Sequence, residues 1–152
     1  MAYGTREARL ELLAEIARAV DELAVALAAL GFAYEQLDEH TADRLEEALF
    51  RPVQAAYGRA RRTHAGFAER HGLPGRGFEP AAPGPPSQPV AAALERAVTA
   101  ASHADMILAE LQDSMRPVEV GDAKLRAGLA EVRELLGDVP ERARRLGRTI
   151  GR

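Results

Sequence analysis

Hydrophobic side chains over the first forty residues recur at alternating steps of three and four, which is the repeat of an amphipathic helix. Two such strips lie side by side, and together they make a face wide enough to contact two neighbouring helices. This pattern favours a helical bundle and predicts a first helix, helix A, from Thr5 to about Leu37. One strip comprises Leu10, Leu13, Ala17, Val20, Ala24, Leu27, Gly31 and Tyr34, and the other comprises Leu12, Ile16, Ala19, Leu23, Ala26, Leu30, Ala33 and Leu37.

The second helix, helix B, is predicted to begin at the cap residue Thr41 and to end at Gly72. Pro52 lies inside it, and proline both lacks a backbone donor and clashes with the preceding turn, so we expect a kink or a break there.

Within helix A, Gly31 is interpreted as a position of close helix packing, because a glycine otherwise only weakens a helix.

The second half of the chain predicts two longer helices, C and D, and a short terminal one. The spacing of Asp138 and Glu141 is typical of a capping box, in which the glutamate side chain binds back to the start of the helix. The predicted bounds are Ser87 or Pro89 to the residue before Pro117 for helix C, Asp122 to Gly137 for helix D, and Asp138 to about Thr149 for the last helix.

Residues 72–89 are rich in proline and glycine and are predicted to form a long, extended loop between helices B and C. Between residues 75 and 89, Phe78 is the only large hydrophobic residue, and we expect it to hold the loop against the bundle. We therefore predict one domain over residues 1–152: an all-α, antiparallel four-helix bundle with a long Pro-rich B–C loop and a short C-terminal helix. At about 3.1 Å per residue the loop could instead cross the bundle, which would make helices B and C parallel.

The composition narrows the range of functions. The chain has no cysteine, which excludes disulfides, thiolate nucleophiles and cysteine-bound metals. No signal-peptide pattern is found at the N-terminus, and the longest hydrophobic run is about half of the roughly 20 residues that a membrane span needs. We therefore expect a cytoplasmic protein that does not cross a membrane. A net charge of −3 and a single lysine argue against a nucleic-acid partner.

Acidic residues gather at the predicted A–B and C–D turns, which share one end of an antiparallel bundle. Converging carboxylates are what a Mg²⁺ ion requires, and Glu-x-x-Asp pairs occur at both turns. These pairs resemble those of all-α nucleotide pyrophosphohydrolases of the MazG type, over this four-residue pattern alone. The resemblance implies a Mg²⁺-dependent pyrophosphohydrolase, whereas a pair of solvated turns is the simpler interpretation. The candidate metal ligands are Asp38, Glu46, Glu110 and Asp113.

Other catalytic chemistry finds little support in the sequence. No histidine follows a glutamate by three residues, as the di-iron helical bundles require. Ser102, His103 and Asp105 are close in sequence, but successive side chains on a helix diverge, so they cannot form a proton relay. His64 and His71 lie at the edge of helix B's hydrophobic face, where they are either ligands or half-buried border residues. We favour the second interpretation.

Positive charge is predicted at the other end of the bundle. Residues 51–76 carry six arginines against one glutamate, whereas residues 35–47 carry six acids against one arginine. Cations near helix C-termini stabilise the helix dipole, and they could also form a patch that binds an anion or an acidic partner. The candidates for this patch are Arg61, Arg62, Arg144 and Arg145.

The leading functional hypothesis is a non-catalytic protein with a structural or protein-interaction role that forms homodimers. Helix A extends for roughly 50 Å at 1.5 Å per residue, but helix D is less than half as long. Part of the hydrophobic surface of helix A would then remain for a second copy to cover. No cofactor is expected under this hypothesis, and the alternative is the Mg²⁺-dependent enzyme described above.

Overall fold

The computed structural model describes residues 2–150, and every regular element in that range is a helix. The predicted all-α class is therefore confirmed. Helical spacing of small and branched hydrophobic residues produces these elements, and Pro or Gly residues lie near most of their ends. The elements are α1 (Ala2–Gln36), α2 (Glu39–Leu45), a π-helix (Glu46–Phe50), α3 (Arg51–Arg70), α4 (Val90–Asp113), α5 (Arg116–Glu119), α6 (Ala123–Leu136) and α7 (Val139–Ile150).

Both hydrophobic strips of α1 contribute to the core. The second strip is buried from Leu12 to Ala33, and the first is buried in its middle but exposed at Leu10 and Tyr34. The wide face of α1 contacts α4 and α3, so the expectation of two helical neighbours is confirmed. Helix α6 packs on α3 and α4, and α7 packs on α4.

Close helix packing occurs at Gly128 rather than at Gly31. A Cβ atom at Gly128 would overlap the side chain of Thr63, so α6 and α3 approach closely at this point. Apart from the adjoining backbone of α1 itself, no atom lies within 4 Å of the position that a Cβ would take at Gly31. The interpretation of Gly31 as a close-packing site is therefore wrong.

Contacts between the helix ends fix where the two acidic turns lie. Glu11 pairs with Arg116 at 2.9 Å, and the Arg9 guanidinium donates to the Val120 carbonyl, so the segment between α4 and α6 lies beside the start of α1. The turn that begins at Asp38 follows the end of α1, about 40 Å away at 1.5 Å per residue. The expectation that the A–B and C–D turns share one end is wrong.

The reason is the route of the segment between α3 and α4. The segment leaves the end of α3 near the start of α1 and passes along α1 in the direction of rising residue number. Arg76 pairs with Asp21 at 3.0 Å, and Pro80 and Ala81 lie farther along, against Ala24 and Leu27. Both α3 and α4 consequently end near the start of α1. The long loop crosses the molecule, and it covers part of the α1 surface that we had assigned to a second copy.

Several helix ends differ from the prediction in detail. Asp38 rather than Thr41 caps α2, because its carboxylate accepts a hydrogen bond from the Thr41 amide at 3.3 Å. Helix α5 was not predicted, and it follows Met115, whose φ of 64° turns the chain sharply. Asp122 caps α6 as predicted. Glu141 pairs with Arg144 at 2.6 Å, an interaction that the predicted capping box did not include.

A π-helix replaces the kink or break predicted at Pro52. In an α-helix the Ala48 carbonyl would accept from the backbone nitrogen of residue 52, which in proline carries no hydrogen. The backbone widens just before this point, and the Arg51 amide donates to the Glu46 carbonyl five residues earlier. The predicted helix B is thus a short helix, one π turn and a longer helix.

Candidate functional site

The structure does not bring the four candidate metal ligands together. Asp38 is exposed and caps α2, and Glu46 begins the π-helix. Glu110 and Asp113 lie in the last turn of α4, at the opposite end of α1 from Asp38. Within residues 2–150, no group of three or more His, Asp or Glu side chains is placed to hold a metal ion.

The two histidines of α3 and its end have different surroundings. His64 is 3% exposed, and its ring stands edge-on to Phe78 with the ring centroids 5.2 Å apart. Burial, helped by the positive charge of Arg76, lowers the pKa of His64, so the ring is neutral at pH 7. His71 instead places Nε2 2.9 Å from the Asp122 carboxylate. His64 is therefore a core residue rather than the half-buried border residue that we expected.

Asp122 is the most strongly perturbed acid among the described residues. Hydrogen bonds from Arg70, supported by the Leu125 amide and His71, hold the pKa of this carboxyl well below its ordinary value. Every partner is part of the junction between α3 and α6. We interpret this cluster as structural, because its polar atoms are already occupied by one another.

The predicted arginine patch is divided between two places. Arg61 and Arg62 line a cavity of about 360 Å³ beside Arg76 and Phe78, on the outer side of α3. Arg145 lies on α7 and lines a different cavity, whereas Arg144 pairs with Glu141. The four arginines therefore do not form one surface.

A second arginine-lined cavity, of about 500 Å³, lies where α7 meets α2, the π-helix and the start of α3. We call it the arginine cavity. Its floor includes the buried Leu146 and the half-buried Ala48, and Glu47 is the one acidic residue that lines it. Its basic lining residues are Arg44, Arg51, Arg142 and Arg145.

The local sequence explains why these arginines meet. Arg44 and Arg51 are seven residues apart, two helical turns, on the segment that contains the π-helix. Arg142 and Arg145 are three apart on α7, whose Leu146 is buried against that segment. Arg142 Nη1 also donates to the Ala48 carbonyl at 3.4 Å. This carbonyl lacks an α-helical donor, because the residue four positions later is Pro52. No local pattern in the sequence marks Arg44, Arg51 and Arg142, because they meet only through the contact between α7 and the π-helix.

Ion pairing leaves most of this positive charge unneutralised. Among the described residues, neither Arg44 nor Arg51 forms a salt bridge, although Glu47 lies between them in the chain. Arg145 Nε lies 3.4 Å from Oε1 of Glu141, a carboxylate that also pairs with Arg144. The arginine cavity can therefore present several guanidinium groups to one anion.

Among the described residues, three of the five exposed large hydrophobic side chains lie at the end of the molecule where α1 begins, and the other two are Tyr34 and Met106. Leu10, Met115 and Val118 are 37%, 49% and 56% exposed. Leu10 lies between Arg9 and Glu11, both of which contact the segment around α5, so the three side chains belong to one end. We call this group the end patch.

No helix within residues 2–150 combines the length and the hydrophobicity needed to cross a membrane. Comparisons with protein-family models, with curated proteins and with solved structures found no significant match to the chain.

Proposed function

We propose that this chain is a non-catalytic, cytoplasmic helical-bundle protein with a structural or protein-interaction role, and that it pairs with a second copy of itself. The observation that carries this proposal is the end patch, since three large hydrophobic side chains at one end are well exposed. Burial of such side chains is the main favourable term in association between proteins.

The contacts among the helices support a four-helix bundle. Helix α1 contacts α3 and α4, and α6 contacts the same two helices, which closes a ring of four. In this arrangement each helix runs antiparallel to its neighbours in the ring, and α3 and α4 are parallel across the diagonal. The crossing of residues 71–89 is the connection that such an order requires.

A second copy is the partner that fits the end patch best. The charged residues beside it include both signs, because Glu11 and Arg116 form an ion pair at its edge. In a two-fold symmetric dimer each surface meets itself, so Glu11 of one copy can face Arg116 of the other. A strongly acidic or basic partner would find no such match.

Static light scattering at micromolar concentration tests this proposal. We expect a mass about twice the 16.4 kDa of one chain. A mass of 16.4 kDa at all concentrations up to about 100 µM would contradict self-association, since it would place the Kd of the dimer above that concentration.

One assay tests the non-catalytic part of the proposal. Nucleoside triphosphates with Mg²⁺ are incubated with the protein and pyrophosphate release is measured, because the Glu-x-x-Asp pairs resemble those of pyrophosphohydrolases. We expect none above background. Activity that is lost in Asp38→Asn or Glu46→Gln would instead establish the Mg²⁺-dependent enzyme.

A further inference from the structure

We propose that the arginine cavity binds a compact polyphosphate, that is, a small molecule carrying two or more linked phosphoryl groups. Two arginines approach from the segment around the π-helix and two approach from α7. A guanidinium group presents a planar fork of N–H donors that matches two phosphoryl oxygens. Four such forks around one cavity are suited to a ligand with many oxygens.

The charge of the cavity favours an anion over the empty state. Four arginines and a single acid, Glu47, line the cavity, and among the described residues only Arg145 of the four has an ion-pair partner, Glu141, so most of the positive charge is not neutralised. A bound polyanion removes the repulsion among these charges and adds attraction to each arginine. A single carboxylate ligand offers only two oxygens and would satisfy one fork, whereas a diphosphate or triphosphate can satisfy several.

The backbone around the cavity is held in place before any ligand arrives. The π-helix gives Glu47 and Ala48 a fixed, widened turn, and such turns occur frequently at functional sites. Arg142 ties α7 to this turn through the Ala48 carbonyl, and Leu146 is buried beneath it. The arginine side chains are therefore carried on rigid elements, which lowers the entropic cost of binding.

The size and shape of the cavity indicate a small molecule. Its volume of about 500 Å³ lies within the range of about 300–1,000 Å³ typical of small-ligand sites. The four arginines line a single cavity, whereas a nucleic-acid surface presents a stripe of positive charge along its length. A free polyphosphate and the phosphate chain of a nucleotide share the chemistry that this site recognises.

Isothermal titration calorimetry without Mg²⁺ tests the proposal, with phosphate, tripolyphosphate and ATP as probes. We expect tripolyphosphate to bind at least tenfold more tightly than phosphate, and its affinity to fall as salt rises. Tighter binding of ATP than of tripolyphosphate would identify a nucleotide as the ligand, and the reverse would identify a free polyphosphate. No detectable binding of tripolyphosphate or of ATP at millimolar concentration would overturn the proposal.

Matched variants locate the site. Arg51→Gln and Arg145→Gln should each weaken tripolyphosphate binding at least fivefold, and Glu47→Gln should strengthen it. Arg61→Gln is the control, because Arg61 lines a separate cavity beside Phe78 and its loss should leave the affinity unchanged. Circular dichroism confirms that each variant remains helical, and Arg44→Gln replaces any variant that does not. Equal weakening by Arg61→Gln would show diffuse attraction to positive charge and would overturn the proposal.

Discussion

Asp122 accepts two hydrogen bonds from Arg70, from Nε at 2.8 Å and from Nη2 at 2.9 Å. The same carboxylate caps α6 by accepting from the Leu125 amide at 2.7 Å. One side chain therefore joins the end of α3 to the start of α6. It also fixes the point from which residues 71–89 begin to cross the molecule.

We predict that Asp122→Ala lowers the free energy of unfolding by about 2 kcal/mol, because both the helix cap and the Arg70 pair are lost. Asp122→Asn should cost only about 1 kcal/mol, since asparagine still caps a helix but carries no charge. Urea unfolding followed by circular dichroism measures both values. Equal losses in the two variants would show that the ion pair, and not the cap, stabilises this junction.

The same carboxyl makes stability depend on acid pH. Its pKa is lower in the folded protein than in the unfolded chain, so the unfolded chain binds the proton more readily. The stabilisation is fully present above the ordinary aspartate pKa of about 3.9 and is lost as the pH falls below that value. We expect the wild type to lose on the order of 1 kcal/mol more than Asp122→Asn between pH 5 and pH 2.5. If the free energy of unfolding falls equally with pH in the two proteins, the acid dependence does not come from Asp122.

Two glycines in helices should respond oppositely to the same substitution. Gly31→Ala should stabilise the protein by up to about 1 kcal/mol, because alanine favours a helix and the space is open. Gly128→Ala should destabilise it by about 1–3 kcal/mol, because the new methyl group meets Thr63 at the contact between α3 and α6. Thermal and urea unfolding compare the pair. A loss of stability in Gly31→Ala would mean that something does pack against that position.

Phe78 should control how firmly the crossing segment is held. Its ring contacts His64, and the Arg76 guanidinium lies 4.5 Å from the ring centroid. We expect Phe78→Ala to increase the rate of trypsin cleavage after Arg76 several-fold under native conditions, because local opening becomes easier. Glu79→Ala changes an exposed neighbour and serves as the control. Unchanged cleavage in Phe78→Ala would show that other contacts hold the segment.

The sequence predicted the helices better than their arrangement. Hydrophobic spacing and the Asp122 cap are local signals, and both were sufficient to locate their helices. The route of residues 71–89 was not predictable in the same way, because a segment of that length can either cross the bundle or return at one end. That single choice decided where Asp38 and Asp122 lie relative to each other.

The candidate sites were harder to predict for a related reason. The arginine cavity depends on contact between α7 and the π-helix, two elements separated by about ninety residues of chain. Arg44 and Arg142 carry no local signal of this contact. The four candidate metal ligands do not converge, because the two turns that carry them lie at opposite ends of α1.

Self-association through the end patch is the central claim, and light scattering of two matched variants tests it most directly. Leu10 and Tyr34 lie on the same helix, are both 37% exposed, and are about 36 Å apart at 1.5 Å per residue. We predict that Leu10→Glu has the mass of one chain at concentrations where the wild type and Tyr34→Glu are dimers. A Leu10→Glu protein that remains dimeric while Tyr34→Glu becomes a monomer would contradict the account.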